Sequence, residues 1–181
     1  MARVFEGMYI GGGWTGAKKT FKDYNPADGS VWAEVPDCGR AETAAAIEAA
    51  QEAFHEWSQL PFSKRAHYLH KAAEIWERRR MEIVDAIQAE GGGWFGKGMF
   101  ETGYVTEVFH AAAASVWNPT GEVMPSEYGK ISMAVRRPMG VVSVISPWNF
   151  PCILTARGFL FPLAAGNTIV LKPSEETPYL G

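Results

Sequence analysis

Three polar side chains near the end of the chain follow two short apolar segments. Residues 141–145 and 168–171 are nearly continuous apolar runs, and Asn149 follows the first of them in a turn bounded by Pro147 and Pro151. Because proline fixes its own φ and restricts the residue before it, the Asn149 carboxamide would be held stiffly. Its NH₂ could donate to an oxygen that gains negative charge during a reaction, or Asn149 could instead cap a helix that starts near Pro151.

Lys172 and Glu175 follow the second apolar run. The ammonium group of Lys172 can donate to ribose hydroxyls, and the carboxylate of Glu175 can accept from both hydroxyls of a vicinal diol. The same carboxylate would repel a phosphate, which favours a nucleotide whose ribose is not phosphorylated. The alternative is a solvated lysine followed by an acid in the first turn of a helix that opens near Thr177.

A parallel sheet would bring these side chains together. The apolar runs predict two strands buried on both faces, and residues 153–165 between them are long enough for a crossover helix that ends at Gly166. The unit is therefore βαβ, with a right-handed connection by default. Because ligands bind such sheets at the carboxyl ends of the strands, we expect the turns 146–151 and 172–177 at one edge.

The preceding residues predict hairpins and amphipathic helices. Turn residues within 9–14 and 20–36 predict two hairpins, and apolar residues at helical spacing predict helices between about 41 and 115. Ser63 is a plausible N-cap for one of these helices. The arginine run at 78–80 is expected at a solvated helix end, since cations suit a C-terminal turn.

Composition indicates an ordinary soluble globular protein. Of 181 residues, 47% are hydrophobic and 20% charged, and the net charge is −3. No basic patch points to nucleic acid, and no run of about 18 apolar residues could span a membrane. The N-terminus lacks the basic and apolar segments of a signal peptide, so a cytoplasmic location is expected. The two cysteines and four histidines match no metal-ligand spacing, and we predict no metal site.

Two motifs strongly resemble the aldehyde dehydrogenase superfamily. They are Ile-Ser-Pro-Trp-Asn-Phe-Pro at 145–151 and Gly-Asn-Thr-Ile-Val-Leu-Lys-Pro-Ser-Glu-Glu-Thr-Pro at 166–178, and their order and separation match as well. The resemblance covers essentially all 181 residues, but only the N-terminal part of a complete family member. It implies an α/β fold with a Rossmann-like parallel sheet, preceded by β-hairpins and amphipathic helices.

The resemblance also divides the chain into three parts. Residues 1–118 would be the hairpins and helices of the cofactor domain, 119–138 part of an oligomerisation β arm, and 139–181 the first βαβ unit of the cofactor-binding sheet. Alternation within 130–138 predicts a strand with one wet face, which fits the arm. The implied assembly is a homo-oligomer, and the family's catalytic domain would lie outside these residues.

Roles at the two motifs are implied too. Asn149 would be the oxyanion donor. The adenosine ribose would be held by Lys172, Ser174 and Glu175, and the nicotinamide side would be lined by Ile145, Ser146, Pro147 and Trp148. The implied cofactor is NAD, with NADP less favoured because of the charge of Glu175.

The chain departs from the family pattern because two catalytic residues of the family are missing from it. The family's nucleophilic cysteine and general-base glutamate lie well beyond the region that the resemblance covers. Cys152 follows Pro151 near a predicted helix N-terminus, where a thiolate is favoured, but it shares the turn of the oxyanion donor and is interpreted as a small filler or pocket-wall residue. We therefore expect that these residues alone oxidise no aldehyde. The alternative is a non-catalytic relative that binds a nucleotide or acts in assembly.

Candidates for the substrate pocket are Trp94, Phe150 and Arg157. Arg157 lies about two helical turns after Asn149 and could face the same pocket, where a guanidinium suits a phenolic hydroxyl or a carboxylate; it could equally be a surface arginine. Residues 95–101 are similar to the aromatic-aldehyde branch of the family, so the predicted substrate is a small aromatic aldehyde. A semialdehyde with a terminal carboxylate is the alternative.

Overall fold

Over residues 3–4 and 7–181, which are the residues that the computed structural model describes, short strands precede and follow a block of helices. The strands are β1 (Arg3–Val4), β2 (Met8–Ile10), β3 (Gly13–Thr15), β4 (Thr20–Tyr24), β5 (Val31–Pro36), β6 (Gly121–Met124), β7 (Ser132–Val135), β8 (Val141–Ile145) and β9 (Thr168–Lys172). The helices are α1 (Arg40–Trp57), α2 (Phe62–Arg78), α3 (Arg80–Ala89), α4 (Phe95–Ser115) and α5 (Pro151–Ala164). The predicted α/β class is confirmed.

The βαβ unit predicted from the two apolar runs is present. β8 and β9 pair in parallel, with Val141 opposite Thr168 and Ile145 opposite Lys172, and α5 connects them. Because the strands pair without a register shift from their first residues to their last, both end at the same edge of the sheet. The two polar turns therefore leave the sheet side by side, as the sequence predicted.

Helices α1 and α5 cover opposite faces of this strand pair. The hydroxyl of Thr168 donates to the Ala50 carbonyl of α1 at 2.7 Å, whereas Val144 packs against Gly158 of α5. These two strand residues point in opposite directions because side chains alternate along a strand. The prediction of burial on both faces is only partly right: Ile145, at the carboxyl end of β8, is 74% exposed.

Asn167 fixes the amino ends of the two strands. Its side-chain oxygen accepts from Met139 N at 2.7 Å and from Gly140 N at 3.1 Å, and its side-chain NH₂ donates to Pro162 O at 3.0 Å. Gly166 has a φ of +97°, the left-handed conformation that ends a helix without a Cβ clash. The predicted end of the crossover helix is thus confirmed. The Asn167 side chain fixes the backbone at the amino ends of both strands.

The hydrophobic core lies where α4 packs against α2, α3 and α5. Its centre is formed by fully buried side chains, which are Leu69, Ile87, Val105 and Leu160. Burial of each such side chain contributes about 1.5–3 kcal/mol relative to exposure. Across the described chain, the helices are too short or too polar to cross a lipid bilayer.

The prediction of a solvated helix end for the arginine run is confirmed for Arg78 and Arg79, which are exposed at the end of α2, and is wrong for Arg80. Arg80 donates from Nε to the Thr102 hydroxyl at 3.1 Å and from a terminal nitrogen to Met99 O at 3.0 Å. Its other terminal nitrogen pairs with Glu77 at 3.0 Å. Arg80 therefore ties α3 to α4, since its planar fork can satisfy several acceptors at once.

Helix α2 begins two residues earlier than an N-cap at Ser63 would give. Ser63 is not its N-cap: the helix starts at Phe62, and Pro61 takes the N-cap position without a side-chain cap. The Pro61 carbonyl accepts from Lys64 N at 2.9 Å, which is the first bond of the helix.

Both predicted N-terminal hairpins are confirmed, as the antiparallel pairs β2–β3 and β4–β5. A third antiparallel pair, β6–β7, spans the segment assigned to the arm. All four residues of β7 are exposed, so this strand has two wet faces instead of the predicted one. Val123 and Ile131 of this region are 75% and 83% exposed.

A buried carboxyl pair joins the first sheet to the end of the chain. Glu90 accepts from Tyr179 N at 2.6 Å and from Leu180 N at 2.9 Å. Asp23 of β4 is its neighbour, and only 6% of Asp23 and 3% of Glu90 is exposed. Burial raises the pKa of both carboxyl groups, and burial together with Asp23 raises the pKa of Glu90 to about 9. Glu90 therefore keeps its proton at neutral pH.

This pair predicts a pH dependence of stability. The unfolded chain releases the Glu90 proton near pH 4.5 and the folded chain near pH 9, so the free energy of unfolding should fall as pH rises through that window. The slope from one proton is at most about 1.4 kcal/mol per pH unit. Urea unfolding followed by circular dichroism measures it, and Glu90→Gln should flatten the slope. Asp85→Asn, an exposed acid of the same helix, is the control; an unchanged slope in Glu90→Gln would contradict the assignment.

Candidate active site

The two polar turns are joined directly at the edge of the sheet. Ser146 N donates to Lys172 O at 3.0 Å, which adds one hydrogen bond to the ladder beyond the end of β8. The turn that carries Asn149 is therefore fixed to the residue from which the second turn departs. This contact brings the predicted oxyanion donor and the predicted ribose contacts to one edge.

Asn149 is exposed, and it does not cap α5. The N-cap of that helix is Phe150, whose side chain makes no capping bond. The Asn149 side chain has no hydrogen-bond partner within the described part of the chain. Its amide is therefore available to a ligand, and the alternative of a helix cap is wrong for this residue.

Lys172 and Glu175 form an exposed ion pair. Lys172 Nζ donates to a Glu175 carboxylate oxygen at 3.0 Å and to Pro173 O at 2.9 Å. Backbone hydrogen bonding and Lys172 hold the pKa of Glu175 below its usual value, so the carboxylate is charged at neutral pH. Residues 175–176 and 178–180 form turns and residue 177 a bend, and the alternative of an acid in the first turn of a helix near Thr177 stays a prediction.

Trp148 and Glu175 line the same cleft, which has a volume of about 380 Å³. The opposite wall comes from β4 and the end of α3, through Asp23, Tyr24 and Glu90. The cleft thus joins one residue predicted for the nicotinamide side with one predicted for the ribose.

Two of the predicted cofactor contacts have inward-facing hydroxyls. Ser146 is buried and its hydroxyl is hydrogen-bonded to that of Thr155. Ser174 is also buried, and its hydroxyl accepts from Glu176 N at 3.2 Å. Both hydroxyls shape the turns. Ile145 and Pro147, by contrast, are exposed.

The predicted substrate residues Trp94, Phe150 and Arg157 are all open to solvent to some extent. Arg157 is exposed on α5, and Phe150 is about one-third exposed with Lys97 Nζ 4.9 Å from its ring centroid. Trp94 is 75% exposed at the start of α4, and its ring lies over Gly96, where a Cβ would come within 2.2 Å.

Comparison with known protein families shows to which family this chain is related. The sequence profile described as "Aldehyde dehydrogenase family" matches residues 14–181. The chain belongs to the aldehyde dehydrogenase family. The resemblance seen in the two motifs is thereby confirmed.

Curated relatives of this aldehyde dehydrogenase family chain include enzymes named for different aldehydes. A vanillin dehydrogenase of Pseudomonas sp. (strain HR199 / DSM 7063) is 40% identical over 165 residues, which are 90% of this chain and 34% of that protein. The mitochondrial succinate-semialdehyde dehydrogenase of Rattus norvegicus is 34% identical over 174 residues, which are 94% and 33% of the two chains. The chain spans about a third of the length of these relatives.

Solved structures agree with the family assignment. An NAD-dependent benzaldehyde dehydrogenase from Corynebacterium glutamicum superposes with a TM-score of 0.92 at 36% identity, covering 97% of this chain and 39% of that one. An NADP dependent enzyme of E. coli superposes with a TM-score of 0.94 at 30% identity, covering 97% and 37%. The fold of this aldehyde dehydrogenase family chain is therefore shared with a part of each of these enzymes, 39% of one chain and 37% of the other.

Cys152 is a poor nucleophile in this family member. It is 4% exposed, and burial followed by the charge of Glu101 raises the pKa of its thiol far above the ordinary value. The exposed Cys38 also has a raised pKa, first from burial and then from nearby acids. Clusters of three or more His, Cys, Asp or Glu suited to a metal ion are absent from the described residues.

Sequence reasoning missed an ion pair of α4 that lies beside the turn carrying Asn149. Lys97 and Glu101 of α4 form a salt bridge, and the second oxygen of Glu101 accepts from Cys152 N at 3.2 Å. The available signal was the position of Glu101 in the same helical stripe as Val105 and Val108, which is otherwise apolar and faces the core. A charged residue in such a stripe needs a partner, and the lysine four residues earlier supplies it.

The burial of Cys152 predicts its reactivity. Iodoacetamide should label Cys38 in the folded protein long before Cys152, because alkylation needs an accessible thiolate. Mass spectrometry of tryptic peptides locates the label, and both cysteines should react once the protein is denatured. Labelling of Cys152 as fast as Cys38 in the folded protein would contradict the buried, protonated thiol.

Proposed function

We propose that this chain forms the cofactor-binding N-terminal part of an NAD-dependent aldehyde dehydrogenase, which oxidises a small aldehyde to its carboxylic acid. The observation that carries the proposal is the free Asn149 carboxamide on a turn that is hydrogen-bonded to Lys172 at the carboxyl edge of a parallel sheet. Family membership supports the reaction class. Because the nucleophile and base implied by the family have no counterpart here, these residues alone would oxidise no aldehyde.

Asn149 supplies an oxyanion donor in this proposal. Its NH₂ would donate to the aldehyde oxygen as that oxygen gains negative charge during nucleophilic attack. The Ser146–Lys172 hydrogen bond and the two flanking prolines hold the turn before substrate arrives, so little reorganisation is needed in the transition state. This pre-organisation gives the donor its effect on rate.

The residues at the second turn fit a nicotinamide cofactor with an unmodified ribose. Lys172 presents a donor and Glu175 an acceptor, 3.0 Å apart and both exposed, which suits a vicinal diol. The ionised Glu175 would repel a 2′-phosphate, so NAD is favoured over NADP. When bound, the cofactor would accept the hydride that leaves the aldehyde carbon. Trp148, Ile145 and Pro147 are the exposed candidates for its nicotinamide side.

We propose an aromatic aldehyde as substrate. The vanillin and benzaldehyde dehydrogenases among the relatives support this choice, while the succinate-semialdehyde dehydrogenase keeps a carboxylate-bearing aldehyde as the alternative. In either case Arg157 would meet the polar end of the substrate, a phenolic oxygen or a carboxylate. Phe150 and Trp94 would supply apolar walls.

The three-part division of the chain is part of the same proposal. The β6–β7 hairpin, within residues 119–138, exposes apolar side chains on both faces, which is typical of a surface that another subunit covers. We assign it to a homo-oligomerisation arm of a cytoplasmic enzyme. Residues 139–181 then carry the cofactor contacts, and the part within 1–118 contributes residues of β4 and of the end of α3 to the lining of the same cleft.

Replacement of Asn149 tests the catalytic role. In the complete dehydrogenase subunit, Asn149→Ala should lower kcat about 10²–10³-fold, since one oxyanion donor is lost. The affinity for NAD should stay within about 2-fold, because the amide acts on the aldehyde oxygen. Steady-state NADH formation and NAD titration measure the two quantities. Asn118→Ala, at another exposed asparagine, is the control, and an unchanged kcat in Asn149→Ala would contradict the proposal.

Replacement of Glu175 tests the ribose assignment. Glu175→Gln keeps the size of the side chain but removes its charge, so it should weaken NAD binding and improve NADP binding relative to NAD. The ratio of kcat/KM with NAD to that with NADP should fall by about 10-fold, which corresponds to about 1.4 kcal/mol. Glu52→Gln, at an exposed acid of α1 outside the cleft, is the control. Equal effects on both cofactors would argue against a contact between Glu175 and the ribose.

A further inference from the structure

A buried carboxylate of α4 binds the first free N–H of α5. Glu101 is 0% exposed, and its Oε2 accepts from Cys152 N at 3.2 Å. Pro151 occupies the first position of α5 and has no N–H, and the N-cap residue Phe150 offers no side-chain bond. Glu101 therefore does from a neighbouring helix what an N-cap side chain usually does within its own helix. Its negative charge also suits the positive end of the α5 dipole.

Lys97 connects the Glu101 carboxylate to Phe150, at the other end of the short segment 150–152. Its ammonium group forms a salt bridge with Oε1 of Glu101 and lies 4.9 Å from the centroid of the Phe150 ring. Only 20% of the Lys97 side chain is exposed. A cation over an aromatic face and a buried ion pair both gain strength where water is excluded. The pair thus holds Phe150 by its ring and Cys152 by its backbone.

Asn149 directly precedes the segment that the pair holds. Its own side chain makes no hydrogen bond within the described chain, so the direction of its amide depends on the backbone around it. Behind the turn, the Ser146–Lys172 bond fixes one end. Ahead of it, Glu101 is the side chain that anchors the backbone at Cys152.

We propose that Lys97 and Glu101 are positioning residues for the Asn149 amide, which they hold in the direction needed for oxyanion stabilisation. This inference rests on the proposed function, since it concerns the same reaction. Because Glu101 is fully buried, it would act through the backbone of residues 150–152 and not by contact with the aldehyde or the cofactor. A displacement of about 1 Å in a catalytic group can cost up to about 10²-fold in rate, so the pair should influence turnover without contacting substrate.

Two variants of Glu101 loosen the anchor in different ways. Glu101→Gln keeps the volume, but its amide oxygen can face only Lys97 or Cys152 N, so one contact is lost. Glu101→Asp keeps the charge beside Lys97 and is one methylene too short to hold Cys152 N as well. In the complete subunit, each variant should lower kcat about 10-fold while the dissociation constant for NAD changes by less than about 2-fold. If Glu101→Gln does not fold, Glu101→Asp decides.

The double variant with Asn149→Ala separates positioning from general stability. If Glu101 acts through Asn149, Glu101→Gln should change kcat by less than about 2-fold once the amide has been removed. Leu69→Ala, at a buried residue of α2 in the same hydrophobic core, is the control for loss of thermal stability. This control should melt at a lower temperature than the wild type and keep its kcat at an assay temperature where it is folded.

The outcomes distinguish the two proposals. If Asn149→Ala keeps the wild-type kcat, the proposed function fails, and the positioning role fails with it. If Asn149→Ala loses activity but both Glu101 variants keep it, the positioning role alone is overturned. It is also overturned if Glu101→Gln lowers kcat equally with and without Asn149, or if Leu69→Ala shows the same loss, because the effect would then be one of stability.

Discussion

The hydrogen-bond ladder between β8 and β9 continues one bond beyond the end of β8, from Ser146 N to Lys172 O. The rest of the candidate site depends on this registered pairing, because it converts two turns that are distant in sequence into neighbours. Asn167 fixes the other end of the same pair by binding the backbone where β8 begins. With both ends set, a slip by one residue would turn the side chains to the wrong face of the sheet.

Two buried glutamate side chains extend this control to the helices. Glu101 links α4 to the start of α5, and Glu90 links the end of α3 to the last residues of the chain. The energetic cost of burying these two acids is avoided in different ways. Glu101 has a lysine partner, whereas the pKa of Glu90 is raised by burial and by Asp23, so that Glu90 is neutral at pH 7. Both arrangements avoid the large cost of an isolated buried charge.

Much of the architecture was predictable because its signals are local. Apolar runs, turn residues and helical spacing predicted the hairpins, the helices and the βαβ unit, and Gly166 ends α5 as expected. The errors concern contacts between elements. Arg80 was expected in solvent and instead binds α4, and Ile145, in a strand expected to be buried on both faces, is exposed. Periodicity describes the faces of an element and says nothing about which neighbour covers them.

The sequence by itself determined the family, the strand order of the βαβ unit and the presence of Asn149, Lys172 and Glu175 after the two strands, since motif spacing along the chain is enough for each. Only the tertiary structure decided which of these side chains are open to a ligand. It showed Asn149 free of the helix cap, the hydroxyls of Ser146 and Ser174 turned inward, and Cys152 buried as a thiol. The physical reason is that exposure and protonation depend on packing between distant segments, such as Glu101 against the start of α5, which no local pattern encodes.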